Sequence, residues 1–526
     1  MNVKLLDCTL RDGGYINSWE FGEKNIDYII SKLDSANLDI IEIGFYTDMA
    51  HEFGCALYSN EEEIRKLCPV PKNSEYAAMI AIGEKEISAE KLPDASESLV
   101  DIIRITFHNK DDEVNKAKDF ARILMDKHYK VCMQPVGITD YEDSRLLELL
   151  KIINEVKPYA FYIVDTLGVM NKQDILKYLY LVDGNLDADV KIGFHSHNNL
   201  QMSFANAQEI LQFPSNREFV IDTSVYGMGR GAGNLCTEII ADYINNLLGE
   251  KKYNILNMLE IIDEALMPIY YKKQWGYSAA YFLSASQNCH PNYATELLTK
   301  QTLHVSEIGN ILSLIPERKK SIFDRTLLNN IYISYLSREI DDEGAMKKLN
   351  GLLGGKKILL IAPGKTIAGN IDKIRNYIAE ENPVVISINS VLDFESDFVF
   401  ISNQRRFNNI KDIENLNLIA TSNIKAEDKK NLVCVDYVSL LNNDEYVFDN
   451  SGLMLLKLLS EIGVEHVSLA GFDGFSETSS ENYYKDSYIG LADESNYINI
   501  NAAVRKEIKK LSENIKLTFL TPSKYE

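Results

Sequence analysis

Over roughly its first 250 residues the chain alternates, eight times, between short apolar runs and amphipathic stretches. The apolar runs are Val3–Leu6, Asp39–Gly44, Tyr76–Ile82, Val100–Phe107, Lys130–Val136, Ala160–Asp165, Val190–His195 and Phe219–Ser224. Each reads as a buried strand, a short apolar run bounded by polar residues. Between them lie helix-like segments such as Lys24–Ala36, Glu113–Lys127, Ser144–Val156, Asn171–Gly184 and Asn199–Gln212. In the first of these, Ile26, Ile29, Ile30 and Leu33 fall on one stripe, the spacing of an amphipathic helix. Eight strand–helix units in about 250 residues predict an α/β fold of one kind, a (β/α)8 TIM barrel.

Polar side chains gather where these strands end. Arg11 and Asp12 follow the first, Glu42 lies in the second, Arg104 and His108 flank the end of the fourth, Gln134 lies on the fifth, and Asp165 closes the sixth. The seventh runs into His195-Ser196-His197-Asn198-Asn199. Barrel enzymes build their sites on this carboxyl-terminal face. Two histidines at i and i+2 share one face of a strand. With the hard oxygen of Asp12 they suit a divalent metal with open positions. Arg11 adds a permanent planar cation beside it. After the eighth strand, Tyr226-Gly227-Met228-Gly229-Arg230-Gly231-Ala232-Gly233-Asn234 forms a glycine-rich loop that can approach a bound anion closely.

The remaining chain carries two further regions. Residues 251–350 read as a helical extension with aromatic patches such as Trp275-Gly276-Tyr277-Ser278-Ala279-Ala280-Tyr281. It is expected to pack on the barrel mouth or on a partner subunit, and a homo-oligomer is the expected assembly. From residue 351 to 526 the alternation resumes, with strands at Lys357–Ala362, Val384–Ile388, Phe398–Ser402, Leu416–Ala420, Leu432–Val435, His466–Ala470 and Ile515–Leu520. This predicts an open, Rossmann-like α/β domain with a mainly parallel sheet. Its turn Pro363-Gly364-Lys365-Thr366 and its loop Gly471-Phe472-Asp473-Gly474 are weak candidates for a phosphate or nucleotide site.

Composition removes several function classes. A net charge of -22 argues against a nucleic-acid binder. Seven scattered cysteines without a CxxC pair fit a reducing compartment rather than a disulfide framework. With no signal-peptide pattern and no apolar run near 18 residues, the expectation is a cytoplasmic protein without a membrane span.

The stretches Asp7-Cys8-Thr9-Leu10-Arg11-Asp12-Gly13-Gly14, His195-Ser196-His197-Asn198-Asn199 and Gly231-Ala232-Gly233-Asn234 together resemble the signature set of a known family. It is the pyruvate-carboxyltransferase-like (HMG-CoA lyase-like) family of metal-dependent barrels, and the branch most similar is that of 4-hydroxy-2-oxovalerate aldolase. The likeness spans roughly residues 1 to 290. It implies that Asp12, His195 and His197 bind Mn²⁺ or Mg²⁺, with Asn234 at a position that coordinates the metal in the lyase branch. It implies that Arg11 holds the keto oxygen of a 2-oxo acid substrate, whose partner is an aldehyde. Tyr277 falls in a run similar to one in the aldolases and is expected to face the site. His108 stands where aldolases also carry a histidine. A dehydrogenase partner is a further implication of the aldolase branch. The C-terminal domain lies outside this likeness and is only faintly similar to nucleotide-sugar-handling α/β domains.

Two departures from the family pattern bear on proton transfer. Aldolases place a histidine three residues after the metal aspartate, where this chain has Tyr15, and lyases use a cysteine in the glycine loop, where this chain has none. Tyr15, His108 and Tyr277 are therefore the candidate proton carriers. A tyrosine base needs its pKa brought down about 3 units from near 10, and Arg11 with a metal is expected to push that way. The leading expectation is an aldolase making or breaking a carbon–carbon bond. A Claisen-type acyl-CoA condensing enzyme, a bifunctional sugar-pathway protein with a nucleotide-binding second domain, and a non-catalytic descendant are the alternatives.

Overall fold

The computed structural model describes residues 2–526 apart from 70–71, 301, 339, 393, 411–412, 427–430, 477–481 and 485–496. The first sheet comprises β1 (Val3–Asp7), β2 (Ile40–Tyr46), β3 (Leu57–Tyr58), β4 (Glu75–Ala81), β5 (Ile102–Phe107), β6 (Lys130–Pro135), β7 (Ala160–Asp165), β8 (Lys191–Ser196) and β9 (Phe219–Thr223). Its order is β1-β9-β8-β7-β6-β5-β4-β2-β3, every pair is parallel, and β1 also pairs with β2. That last pairing closes eight strands into a TIM barrel, and the eight predicted strands are the eight staves. The two-residue β3 is an addition, paired to the end of β2, and too short to leave a periodic signal.

Alternation along each strand separates two apolar layers. Leu5, Ile41, Ile103 and Phe161 face the helices, while Leu6, Ile40, Ile102 and Tyr162 fill the barrel interior. Gly193 on β8 makes room for Tyr162, since a Cβ there would lie 2.3 Å from its ring. The helix Glu23–Ser35 buries the expected Ile26, Ile29, Ile30 and Leu33 stripe. The helix Lys172–Asn185 starts at a capping box in which Asn171 accepts from the Gln173 and Asp174 amides.

Contacts divide the chain into one unit of Met1–Pro291 with Arg318–Ile322 and a second of Asn292–Glu317 with Phe323–Glu526. The helices of residues 251–350 are therefore shared between the two units rather than forming a body of their own. The second unit is a seven-stranded parallel sheet of β10 (Lys357–Ile361), β11 (Val384–Ile388), β12 (Phe398–Ile401), β13 (Leu418–Thr421), β14 (Leu432–Val435), β15 (His466–Ala470) and β16 (Lys516–Phe519). Its order, β14-β13-β12-β11-β10-β15-β16, reverses direction between β10 and β15. Among the described residues no helix is long and apolar enough to cross a membrane.

Candidate metal centre

The motif after β1 is tied down by its own small polar side chains. Asp7 accepts from the Thr9 amide at 2.9 Å and from the Thr237 hydroxyl at 2.6 Å. The Thr9 hydroxyl accepts from the Val225 amide at 2.8 Å. The first stave is thereby laced to the loop and helix that follow the last one. The turn then presents Arg11 and Asp12, both almost fully buried.

Asp12, His195 and His197 place one ligand atom each within 4.8 Å of one another. The rings of His195 and His197 stand edge to face at 5.3 Å. Asn234 is brought in by an antiparallel bridge between its backbone and that of His197, and its amide donates to Asp12 Oδ2 at 2.7 Å. The glycine-rich loop approaches as expected: a Cβ on Gly229 would lie 2.7 Å from Asp12 Oδ2 and 2.3 Å from Asn234 Nδ2.

Behind these groups runs a buried chain of charges. Arg11 donates from Nη1 to Asp12 Oδ1 at 2.6 Å and from Nε to Glu42 Oε2 at 2.8 Å. Arg104 donates to the same Glu42 oxygen at 2.6 Å and to Asp222. Asp222 Oδ2 lies 3.0 Å from Nδ1 of His195. The contact is close but lacks hydrogen-bond geometry, so the carboxylate acts on the ring by its charge. Glu42 and Asp222 thus orient the two groups that face the site. Gln134, with its amide oxygen turned to Arg104, joins the same network. Asp165 does not: its two oxygens accept the Val169 and Met170 amides at 3.0 Å, locking the loop after β7.

Burial alone would raise the Asp12 pKa, but Arg11 above all, then the two histidines and the Asn234 amide, hold its carboxyl well below the usual carboxylate range. Burial drives the His197 pKa down to about 3 against the pull of Asp12, so the ring is neutral and its lone pair is available at neutral pH. His197 Nδ1, Asn234 Oδ1 and Arg11 Nη2 are buried and make no hydrogen bond among the described residues. Buried polar atoms are rarely left so. The donor set and the unpaired atoms fit a divalent cation.

The expected proton carriers fare differently. Tyr15 lies at the site under the Arg230 guanidinium, 5.3 Å from its ring centre. Burial raises its pKa, and Arg230 and Arg11 alone do not reverse the shift. His108 is engaged elsewhere, with Nδ1 2.9 Å from Glu113 Oε2 and Nε2 3.8 Å from Glu84. Tyr277 is 62% exposed, and no hydrogen bond or ring contact joins it to the metal-site residues.

Sequence reasoning missed Asp222, Arg230 and Lys85. Asp222 carried a signal, a charge in register with the inward-facing Val220 on β9. Lys85 reaches back from the loop after β4, its Nζ 4.5 Å from the Trp19 ring and 5.3 Å from that of Tyr15. Burial lowers its pKa, and Arg230 and Arg11 lower it further. A lysine in a loop offers no periodic clue of this kind.

With the triad on the ends of β1 and β8, the comparisons with known proteins can be placed. The HMGL-like family model matches residues 2–264. The chain belongs to the HMGL-like family. A protein named oxaloacetate decarboxylase from Mycobacterium tuberculosis is 30% identical over 238 residues, 45% of this chain and 68% of the relative. A 4-hydroxy-2-oxovalerate aldolase from Carboxydothermus hydrogenoformans is 24% identical over 277 residues, 51% of this chain and 77% of the relative. Among solved structures, the HMG-CoA lyase of Bacillus subtilis matches with a TM-score of 0.42 and 17% identity, covering 51% of this chain and 93% of that one. The HMGL-like relatives are lyases or aldolases, and the matched portion of this chain is the barrel.

Proposed function

We propose that the barrel makes or breaks a carbon–carbon bond beside the keto group of a 2-oxo acid, in the manner of a 4-hydroxy-2-oxovalerate aldolase. The observation carrying this reading is the buried convergence of Asp12, His195 and His197 with Arg11 pinned 2.6 Å from Asp12. Asp12, His195, His197 and the Asn234 oxygen would hold Mn²⁺ or Mg²⁺. Such an ion, when bound, supplies Lewis-acid polarisation of a keto oxygen. Arg11 Nη2 is the buried donor left unpaired for the oxygen on which enolate charge develops. A pre-aimed donor of this kind contributes about 10²–10³ in rate. In retro-aldol cleavage the 4-hydroxyl loses its proton, the C3–C4 bond breaks, and its electron pair passes toward the keto oxygen. Tyr15 and Lys85 are the groups beside the site able to carry that proton.

A second reading is favoured by the 30% identity to a protein named oxaloacetate decarboxylase. Decarboxylation of a 2-oxo acid bearing a carboxylate on C3 generates the same enolate without removing a hydroxyl proton. It therefore needs no base of the kind this chain lacks.

Two measurements test these readings. Metal-dependent exchange of pyruvate methyl protons with solvent, followed by NMR, is expected in the native protein. Exchange should vanish in Asp12→Asn together with Mn²⁺ binding measured by electron paramagnetic resonance. Exchange without metal, or Mn²⁺ affinity untouched by Asp12→Asn, overturns the site assignment. Tyr15→Phe separates the reactions: about 10²-fold or more is lost if its hydroxyl carries the proton in aldol cleavage, whereas decarboxylation of oxaloacetate is expected to survive.

A further inference from the structure

The second unit contains a cavity of about 490 Å³ that the barrel chemistry does not use. It opens at the carboxyl ends of β10 and β15, where the strand order reverses, the place at which open parallel sheets take their ligands. Its size falls within the usual range for small-molecule sites.

The two glycine-bearing loops singled out in the sequence meet here, but their role is not the expected one. Asp473 accepts the Thr366 amide at 2.7 Å and also its hydroxyl. A Cβ on Gly364 would lie 2.2 Å from the Gly471 carbonyl oxygen. The turn after β10 and the loop after β15 are therefore latched to each other, and the Thr366 amide is already engaged. Neither loop is the phosphate cradle that its composition suggested.

The free donors lie on another wall. Ser451 and Gly452 open the eleven-residue helix Ser451–Glu461 and line the cavity. Asn450 caps this helix by accepting from the Leu453 amide at 3.1 Å. The amides of Ser451 and Gly452 have no partner among the described residues. A helix start with open amides favours an anion. Cationic side chains are independently present. Lys300 lines the cavity with its Nζ 4.1 Å from the Phe448 ring and 5.3 Å from that of Tyr332, and it makes no ion pair among the described residues. Arg325 spends Nη2 on Glu296 at 3.2 Å, while its buried Nε has no hydrogen-bond partner. Asp449, which also lines the cavity, already accepts from the Tyr332 hydroxyl at 2.9 Å. Burial, assisted by Arg325, holds the Lys300 pKa below its ordinary value, and an anion beside the ammonium would raise it.

The lining also includes the aromatic side chains of Tyr446, Phe472, Tyr483 and Tyr497, beside the acids Glu445 and Asp473. The Asn389 side chain is already engaged, donating to the Ser451 hydroxyl at 2.5 Å and accepting from the Ser402 amide at 3.0 Å. Aromatic faces suit a heterocyclic ring.

We propose that this cavity binds a nucleotide, with its phosphate toward the start of Ser451–Glu461, Lys300 and Arg325, and its base among the aromatic walls. The inference is independent of the reaction in the barrel.

The test is calorimetric titration of the full-length protein with the mono- and diphosphates of cytidine, uridine, adenosine and guanosine, beside ribose 5-phosphate and inorganic phosphate. At least one nucleotide should bind with a Kd below 100 µM, at least tenfold tighter than either phosphate without a base. Lys300→Gln should weaken it tenfold or more, while Lys347→Gln on an exposed helix should leave it within twofold. Hydrogen–deuterium exchange on the native protein provides a readout that no variant can confound: the nucleotide should protect residues 451–453 and 471–475. The proposal is overturned if no nucleotide binds below 1 mM, if ribose 5-phosphate binds equally well, or if protection falls only in the barrel.

Discussion

At the scale of single residues, the site depends on side chains that never touch a substrate. Asp222 lies 3.0 Å from the His195 ring and is the far end of the charge chain that begins at Arg11. Asp222→Asn keeps the volume and removes the charge beside the His195 ring. Changes of this type cost about 10–100-fold in metal affinity, and a Mn²⁺ titration should show that loss while circular dichroism stays native. Gly229→Ala is expected to do similar damage for a steric reason. Its Cβ would fall 2.7 Å from Asp12 Oδ2, so a ligand must move. Asp165 makes the opposite kind of prediction. Burial pushes its carboxyl up to about 7, against the backbone amides that hydrogen-bond it. The protonated form is favoured in the fold, so its stabilising contribution is complete below about pH 4. That contribution is lost as pH rises through 7, by on the order of 4 kcal/mol in total. Urea midpoints of Asp165→Asn and the native chain should therefore converge, or cross, as pH goes from 4 to 8.

At the scale of elements, each stave delivers its residues because of how it ends. β1 runs into a turn closed by the Asp12 amide donating to the Cys8 carbonyl at 2.8 Å, which points Arg11 and Asp12 into the mouth. β8 ends at Ser196, with His195 its penultimate residue and His197 just beyond it, so the i, i+2 rule puts both rings on one face. The helix Lys172–Asn185 returns the chain from β7 to β8, and its start depends on the Asn171 cap. Asn171→Ala should cost about 1 kcal/mol of stability in chemical denaturation, with no change in metal affinity.

At the scale of the molecule, the barrel unit and the second unit each have their own sheet and their own apolar core. The chain's two tryptophans, Trp19 and Trp275, both belong to the barrel unit. Tryptophan fluorescence thus reports on that unit alone. Mn²⁺ at a hundredfold excess over its Kd should stabilise the fluorescence-detected transition by about 2.7 kcal/mol. Asp12→Asn should abolish the shift, and an unchanged shift in that variant would place the ion elsewhere.

Much of this was legible in the chain itself. The eight staves and the seven strands of the second sheet were readable because a buried parallel strand is a short apolar run with polar ends, and such runs need only local information. Asp12, His195 and His197 were readable as a candidate triad because their types and their places at strand ends suit a cation, whereas Asn234 came only from the family likeness. What local pattern does not contain is the surroundings of a side chain. The sequence placed Tyr15, His108 and Tyr277 near the right strands or in the right motif. Only the fold decided that Tyr15 is half-buried beneath Arg230, that His108 is spent on Glu113, and that Tyr277 is exposed. Asp222, Arg230 and Lys85 became neighbours of the site only when the sheet closed, because the groups they meet lie on other elements. The same holds for the cavity of the second unit, where the glycine loops proved to be a latch and the open donors belong to a helix start. Periodicity is a property of neighbours along the chain, and so it determined the elements. Solvation and charge are properties of neighbours in space, and so the tertiary structure alone decided the chemistry.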